Sequence, residues 1–352
     1  MTYYVFTLVF FLFDYFILAM GLNIQYGETG ILNFAYIGFV AVGAYVTGAL
    51  SLPNSVGTGQ HYIFGLSLPF PINLLLGGLA ACLLAVVVAV IAMRRLRTDY
   101  LAMVLISLSL VFYDICNNYV PLFNGADGLY NVPEPFAGVF HLTTNSFIPV
   151  FAIITGVIAL IMWFIMGRIT RSPIGRTFRA IRDDGVVAAA LGKDVFRQQL
   201  KSMLIGSFYA GIGGGLIIQF AGSFNPTAWL PGETFVVFAV IIVGGVGNNL
   251  GMLVGALLVE TLLIHLPAFL PAIPGHPGLI EYIDAVVIGV LLMVMLWFRP
   301  QGAVPERLRR AISFGVTDRT LGEPGLKAEE ALVPPQVIID SSPAQARRVS
   351  DE

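Results

Sequence analysis

Long apolar runs separated by short polar stretches occupy the chain up to about residue 300. Most runs are about 17–22 residues long, which is the length that an α-helix needs to cross the ~30 Å hydrocarbon core of a bilayer. The pattern therefore predicts an all-α fold, a polytopic transmembrane helical bundle of about 8–9 membrane segments. The runs are Tyr3–Met20, Leu32–Leu50, Ile72–Met93, Tyr100–Tyr119, Phe147–Gly167, Ser202–Ala221, Phe235–Gly245, Leu250–Leu266 and Tyr282–Phe298.

Composition supports this class of protein. Hydrophobic residues make up 57% of the chain and charged residues only 11%, whereas an average soluble domain carries roughly 25% charged residues. A soluble enzyme is therefore excluded on composition, and so is a largely disordered chain. The net charge of −2 gives no basic field that would attract nucleic acid. The two cysteines, Cys82 and Cys116, lie inside apolar runs and form no metal or redox motif.

The basic residues fall in three clusters, at 94–97, 168–201 and from 299 onward. Basic residues near span ends are retained on the cytoplasmic side, so the loop 168–201 and the C-terminus are predicted to be cytoplasmic. An even number of crossings must then separate successive clusters, which places the loop near 120–146 outside. The same rule requires 235–266 to form either two spans or a re-entrant pair, and the glycine-rich stretch 244–251 is the expected break.

The end of the chain differs from the rest in composition. Residues 303–352 are rich in Pro, Glu, Arg, Ser and Asp and contain no long apolar run. This predicts a transmembrane domain at 1–302 followed by a disordered cytosolic tail at 303–352.

The cytoplasmic loop predicts short amphipathic helices. Ser172-Pro173 is a typical helix start and Gly192 a typical helix end. Apolar residues between them recur every three to four positions, which leaves Arg176, Arg179 and Arg182 exposed. Such helices could rest on anionic lipid or dock into a groove on a soluble partner. The Asp183-Asp184 pair and the small residues around Ala188 favour a docking role, because lipid binding does not need them.

Several motifs, in order along the chain, resemble those of the permease subunits of branched-chain amino acid ABC transporters, the LivM type. The segment at 175–192 is similar to that family's coupling segment, although Gly185 and Ala189 stand where such permeases usually carry acids. The other matching stretches are Gly21–Ala35, Leu96–Ala102, Gly125–Leu129, Val243–Gly247 and Gly251–Ala256.

The resemblance implies a permease of the prokaryotic cytoplasmic membrane that imports branched-chain or related amino acids. It implies as partners a second permease subunit of the LivH type, two cytosolic ATP-binding subunits, an external solute-binding protein and membrane lipid. The chain has no G-x-x-x-x-G-K-[ST] motif, so ATP hydrolysis is expected from a partner. The residues expected to couple to the ATPases are Arg176, Arg179, Arg182, Asp183, Asp184, Ala188 and Gly192.

Polar residues between the first two apolar runs are candidates for the translocation path. Polar or non-helical backbone at membrane depth is tolerated only where protein or water surrounds it. By position alone, the segment 21–36 could equally be a surface turn; the family resemblance favours the path. The candidate residues are Asn23, Gln25, Tyr26, Asn33 and Tyr36.

Two other functions are weighed against the importer. An ATP-independent secondary transporter or channel for a small polar solute would explain the hydropathy but not a docking loop. A membrane-embedded enzyme is disfavoured, because no residues have the local signature of a catalytic, metal or cofactor site.

Overall fold

The structure, a computed structural model, describes residues 2–53, 65–94, 98–120, 124–136 and 144–265, and in addition 286, 289–290, 293–295, 297–299 and 301–305. Within these residues the fold is helical, with isolated β-bridges and no strand. The helices are α1 Thr2–Asn23, α2 Tyr36–Ser51, α3 Ile72–Val88, α4 Thr98–Asn118, α5 Thr144–Arg171, α6 Pro173–Asp183, α7 Gly185–Ala190, α8 Val195–Ala221, α9 Gly232–Gly244 and α10 Asn249–Gly255.

Wide π-type turns extend three of these helices. They cover Ile24–Glu28 after α1, Ala89–Met93 after α3 and Ala256–His265 after α10. Turns of this kind are rare and occur frequently at functional sites, because they displace the helix face on which the following side chains lie.

The predicted helical membrane bundle is confirmed in its coarse form. Five described helices are long and apolar enough to cross a bilayer, or up to six if the bent pair α9–α10 is one span. The two helices of this pair make an angle of 116°, which confirms the predicted break in the glycine-rich stretch. The apolar run at 282–298 lies mostly outside the described residues, as does the tail beyond residue 305.

Helix α8 lies at the centre of the bundle and packs against α1, α2 and α3. Its glycines allow backbone-to-backbone contact with α2. A Cβ atom added at Gly43 would lie 2.3 Å from Gly211 Cα, and one added at Gly214 would lie 2.0 Å from the Val40 carbonyl oxygen. Small residues at such crossings let membrane helices approach closely enough for their backbones to touch.

Hydrogen bonds define two opposite ends of the bundle. At one end, Ser202 Oγ in α8 donates to the Ile24 carbonyl at 2.9 Å. At the other, Gly222 accepts from Val132 N at 3.0 Å, and Leu129 and Phe224 exchange two backbone hydrogen bonds. Twenty residues of helix between 202 and 222 correspond to about 30 Å, the thickness of a bilayer core. The loop near 129, which the charge pattern predicts outside, therefore shares one end of the bundle with the loop near 224.

Candidate functional site: a surface helix joined to a buried polar turn

The segment predicted to dock a partner forms two short helices with side-chain caps. Ser172 Oγ accepts from Ile174 N at 3.2 Å and begins α6. Asp184 Oδ1 accepts from Val186 N at 2.8 Å and Val187 N at 3.0 Å and begins α7. Gly192 follows the end of α7 with φ +79°, a left-handed conformation that favours glycine. The predicted start and end of the segment are confirmed.

Arg179 on α6 does not point into solvent as the helical pattern suggested. Its Nη1 atom lies 2.8 Å from Glu28 Oε2, and the two side chains are 27% and 3% exposed. The same nitrogen also donates to the Thr170 carbonyl at 3.3 Å. A buried carboxylate is stabilised only when it is paired and hydrogen-bonded, so this contact fixes α6 against the turn at 24–28.

Arg182 makes a second connection between the same two elements. Its Nη1 atom donates to the Gly27 carbonyl oxygen, and its side chain is 25% exposed. A Cβ atom added at Gly30, which has φ +78°, would lie 3.4 Å from Arg182 Cγ. Of the three arginines expected at the surface of α6, Arg176 is exposed and the other two face the bundle.

Four of the five candidate path residues are buried and hydrogen-bonded, whereas Tyr26 is half-buried and packs its ring against Phe238 at 5.4 Å. Asn33 Nδ2 donates to Gln25 Oε1 at 2.8 Å, and Gln25 Nε2 donates to the Met203 carbonyl at 3.1 Å. Tyr36 donates to the Leu18 carbonyl at 2.7 Å. In this conformation these polar groups are bonded to α1 and α8 rather than to an open passage. Thr29 and Ser202 extend the network through a 2.8 Å hydrogen bond between their hydroxyls.

Asn23 joins the polar turn to the break between α9 and α10. Its Oδ1 atom accepts from Gly247 N at 2.9 Å, and its Nδ2 atom lies 3.5 Å from Asn249 Oδ1. A Cβ atom added at Gly27 would lie 2.2 Å from Asn23 Oδ1. We refer to residues 23–30, Arg179, Arg182 and 245–249 together as the junction. The predicted coupling segment and the predicted path thus meet in one set of contacts.

Residues after the last apolar run also contact the break between α9 and α10. Ala303 N donates to the Val243 carbonyl at 2.8 Å, and Val304 N donates to the Gly244 carbonyl at 3.0 Å. Asn248 Nδ2 donates to the Pro305 carbonyl at 3.1 Å, while its Oδ1 atom caps α10. The first residues of the predicted tail therefore pair with the backbone at the break.

Substituting Asn23 with alanine should lower the free energy of unfolding by about 2 kcal/mol. The partly buried Gly247 N–H would lose its acceptor, the fully buried Asn23 side chain, and an unsatisfied buried donor costs roughly 1–3 kcal/mol. Thermal unfolding in detergent measures the effect. Asn225→Ala is the matched control, since Asn225 is an exposed cap and its loss should cost at most about 1 kcal/mol. An equal effect of both variants would contradict a special role for Asn23.

The outermost apolar side chains of the coupling segment were missed from the sequence. Val186 and Leu191 are 82% and 76% exposed, although both are large and apolar. Ala188 is only 4% exposed, so its small side chain packs inward and is not part of that outer surface. Val186 lies on α7, and Leu191 directly follows the last residue of that helix. Asp183, Asp184 and Gly192 are exposed as well.

Comparison with known proteins identifies relatives along most of the chain. The family described as branched-chain amino acid transport system, permease component, matches residues 4–296. The probable branched-chain amino acid transport permease protein LivM of Methanocaldococcus jannaschii is 28% identical over 83% of this chain and 91% of its own. LivM of the high-affinity system of Escherichia coli K12 is 27% identical over 83% and 68%. The probable permease LivH of M. jannaschii is 23% identical over 84% and 91%. No solved structure matches the chain significantly.

Proposed function

This chain belongs to the branched-chain amino acid transport permease family, and from that premise we propose that it is a permease subunit of an ABC importer for branched-chain or related amino acids. The similarity to both LivM and LivH proteins supports pairing with a second permease subunit. The remaining components would be two cytosolic ATP-binding subunits and an external solute-binding protein. The protein would span the cytoplasmic membrane of a prokaryote, with loop 168–201 and the C-terminus in the cytoplasm.

The geometry of α9 and α10 supports the higher number of membrane segments. Trp229, just before α9, stacks on Phe224 with ring centroids 5.6 Å apart, at the end of the bundle away from the junction. The other end of α9 lies at the junction, where Gly247 contacts Asn23. We therefore assign α9 and α10 to two separate membrane segments. Together with the run at 282–298, these give nine segments and an even number of crossings between Lys201 and Arg299.

In the proposed mechanism, the coupling segment transmits force from the ATPases to the polar turn. Nucleotide-driven closure of the ATPases would displace α6 and α7, whose exposed Val186 and Leu191 can enter an apolar groove of a partner. The displacement would pass through Arg179 and Arg182 to the turn at 24–28. That turn would then exchange its internal hydrogen bonds for contacts with solute or water.

One observation carries this proposal: the 2.8 Å contact of Arg179 with the buried Glu28. An interfacial helix that only rests on lipid needs no charged contact with the interior of the bundle. A helix that must move the interior does need one. The contact also explains why a polar turn tolerates a carboxylate at its position, since the guanidinium supplies the compensating charge.

A charge introduced at Leu191, the residue that follows α7, tests the docking role. Leu191→Asp should reduce ATP-driven uptake in proteoliposomes of the assembled importer at least tenfold and release the ATPases during purification. The reason is that a carboxylate cannot be buried unpaired in an apolar groove. Leu230→Asp at the opposite end is the matched control, because Leu230 is also exposed and apolar, and it should leave ATPase retention unchanged.

Two outcomes would contradict the proposal. One is normal uptake and normal ATPase retention in the Leu191→Asp variant. The other is solute accumulation by the reconstituted chain alone, without ATPases or ATP, which would indicate an ATP-independent transporter.

A further inference from the structure

An apolar groove opens on the surface of the bundle between α3, α5 and α8. It has a volume of about 300 Å³. Among the residues that the structure describes, the polar side-chain groups in its wall are already bonded within the protein. Tyr209 donates its hydroxyl hydrogen to the Met162 carbonyl at 2.7 Å, and Cys82 donates to the Leu204 carbonyl at 3.3 Å. The described wall therefore offers an occupant no free hydrogen-bonding group, and a hydrocarbon chain is the chemistry that suits it.

The groove runs along the bundle from the end at which Ser202 lies toward the middle. Leu204 and Ile169 line the part nearest that end, and Tyr209 lies deeper. From Lys201 to Tyr209 a helix rises about 12 Å. A groove of that length can hold part of an acyl chain, but it is too short for a transmembrane helix.

Basic side chains of α5 and α8 adjoin residues that line the end of the groove. Lys201 precedes Leu204 and Phe208 by three and seven residues, so it shares the helix face that lines the groove. Arg168 adjoins Ile169, and its guanidinium lies 5.1 Å from the Phe164 ring. Both cations are exposed, and neither makes an ion pair within the described residues.

We propose that this groove binds an anionic phospholipid, with one acyl chain between α3, α5 and α8 and the phosphate beside Lys201 and Arg168. Two features favour this occupant. Basic groups at the mouth of a pocket between membrane helices select anionic headgroups, and a dry apolar wall below them selects a hydrocarbon chain.

Native mass spectrometry of the purified full-length chain tests this site. The chain, in detergent, is offered equal amounts of phosphatidylglycerol and phosphatidylcholine with identical acyl chains. We expect one phosphatidylglycerol to be retained at least fivefold more than phosphatidylcholine. Lys201→Gln should lower that retention at least fivefold. Lys193→Gln removes the same charge from an exposed loop position away from the groove and should leave retention unchanged.

Filling the groove provides an independent variant. Ile165 is 46% exposed and lines the groove, so Ile165→Trp can be accommodated by occupying the groove rather than by disturbing the core. It should also reduce phosphatidylglycerol retention at least fivefold. The proposal is overturned by equal retention of both lipids, by undiminished retention in Lys201→Gln and Ile165→Trp, or by crosslinks from Ile165→Cys to a second membrane protein. Because no ATP or uptake is involved, these results are independent of the proposed transport function.

Discussion

Replacing Arg179 with alanine should destabilise the folded protein by about 3 kcal/mol and reduce ATP-driven uptake at least tenfold. Removing one partner of a buried ion pair typically costs about 3–5 kcal/mol, because the remaining charge is left uncompensated. We expect the lower end of that range, since the Arg179 side chain is 27% exposed whereas that of Glu28 is 3% exposed. Thermal unfolding in detergent and uptake in proteoliposomes measure the two effects.

Two further variants separate the effect of breaking the Arg179–Glu28 pair from the effect of removing any positive charge. Arg171→Ala removes an equally charged but exposed side chain near the end of α5 and should leave stability within about 0.5 kcal/mol. The double variant Glu28→Gln, Arg179→Gln should recover most of the lost stability, because no buried charge remains, while uptake stays low. Recovery of uptake in the double variant would show that the ion pair serves the fold rather than the transmission of movement.

Substituting Gly214 with alanine should be among the most destructive single-methyl changes in the bundle. Its Cβ atom would lie 2.0 Å from the Val40 carbonyl oxygen, which is backbone and cannot rotate away. Overpacking of a tight core costs typically 1–3 kcal/mol even where side chains can adjust, so we expect at least about 3 kcal/mol. The yield of monodisperse protein after detergent extraction, and its unfolding temperature, should both fall sharply.

Gly167→Ala is the matched control for that substitution. Gly167 is also a helical glycine, but a Cβ atom added there meets nothing within 4 Å. Alanine should be neutral or stabilise the protein by about 0.5–1 kcal/mol, because it restricts the unfolded chain. If both variants unfold at the same temperature, the α2–α8 crossing is looser than the structure describes.

Local sequence patterns were sufficient to predict the long helices and some of their ends. Apolar runs of bilayer length correspond to α1, α3, α4, α5 and α8, and the cap at Ser172 lies where the motif predicts it. The glycine-rich stretch at 244–251 predicted a break, and a 116° bend is found there. These features depend on residues that are close together in the chain, so a short stretch of sequence is enough to predict them.

Contacts between distant parts of the chain were not predictable in this way. Helical periodicity suggested that Arg179 and Arg182 were exposed like Arg176, because nothing near them in sequence indicates a buried partner. Glu28 lies 151 residues away from Arg179. Similarly, α2 begins at Tyr36 rather than at the first apolar residue of its run. The preceding residues are held in a turn by the hydrogen bond of Asn33 to Gln25, which apolar content does not reveal.

The pairing of residues 302–305 with the break also sets where the protein can be shortened for expression. Deleting residues 306–352 leaves the described hydrogen bonds of Ala303, Val304 and Pro305 intact. Ending the chain at 301 would free the Val243 and Gly244 carbonyls and the Asn248 amide, beside the residues that contact Asn23. An affinity tag is therefore better fused beyond residue 305, with a spacer, than in place of this segment.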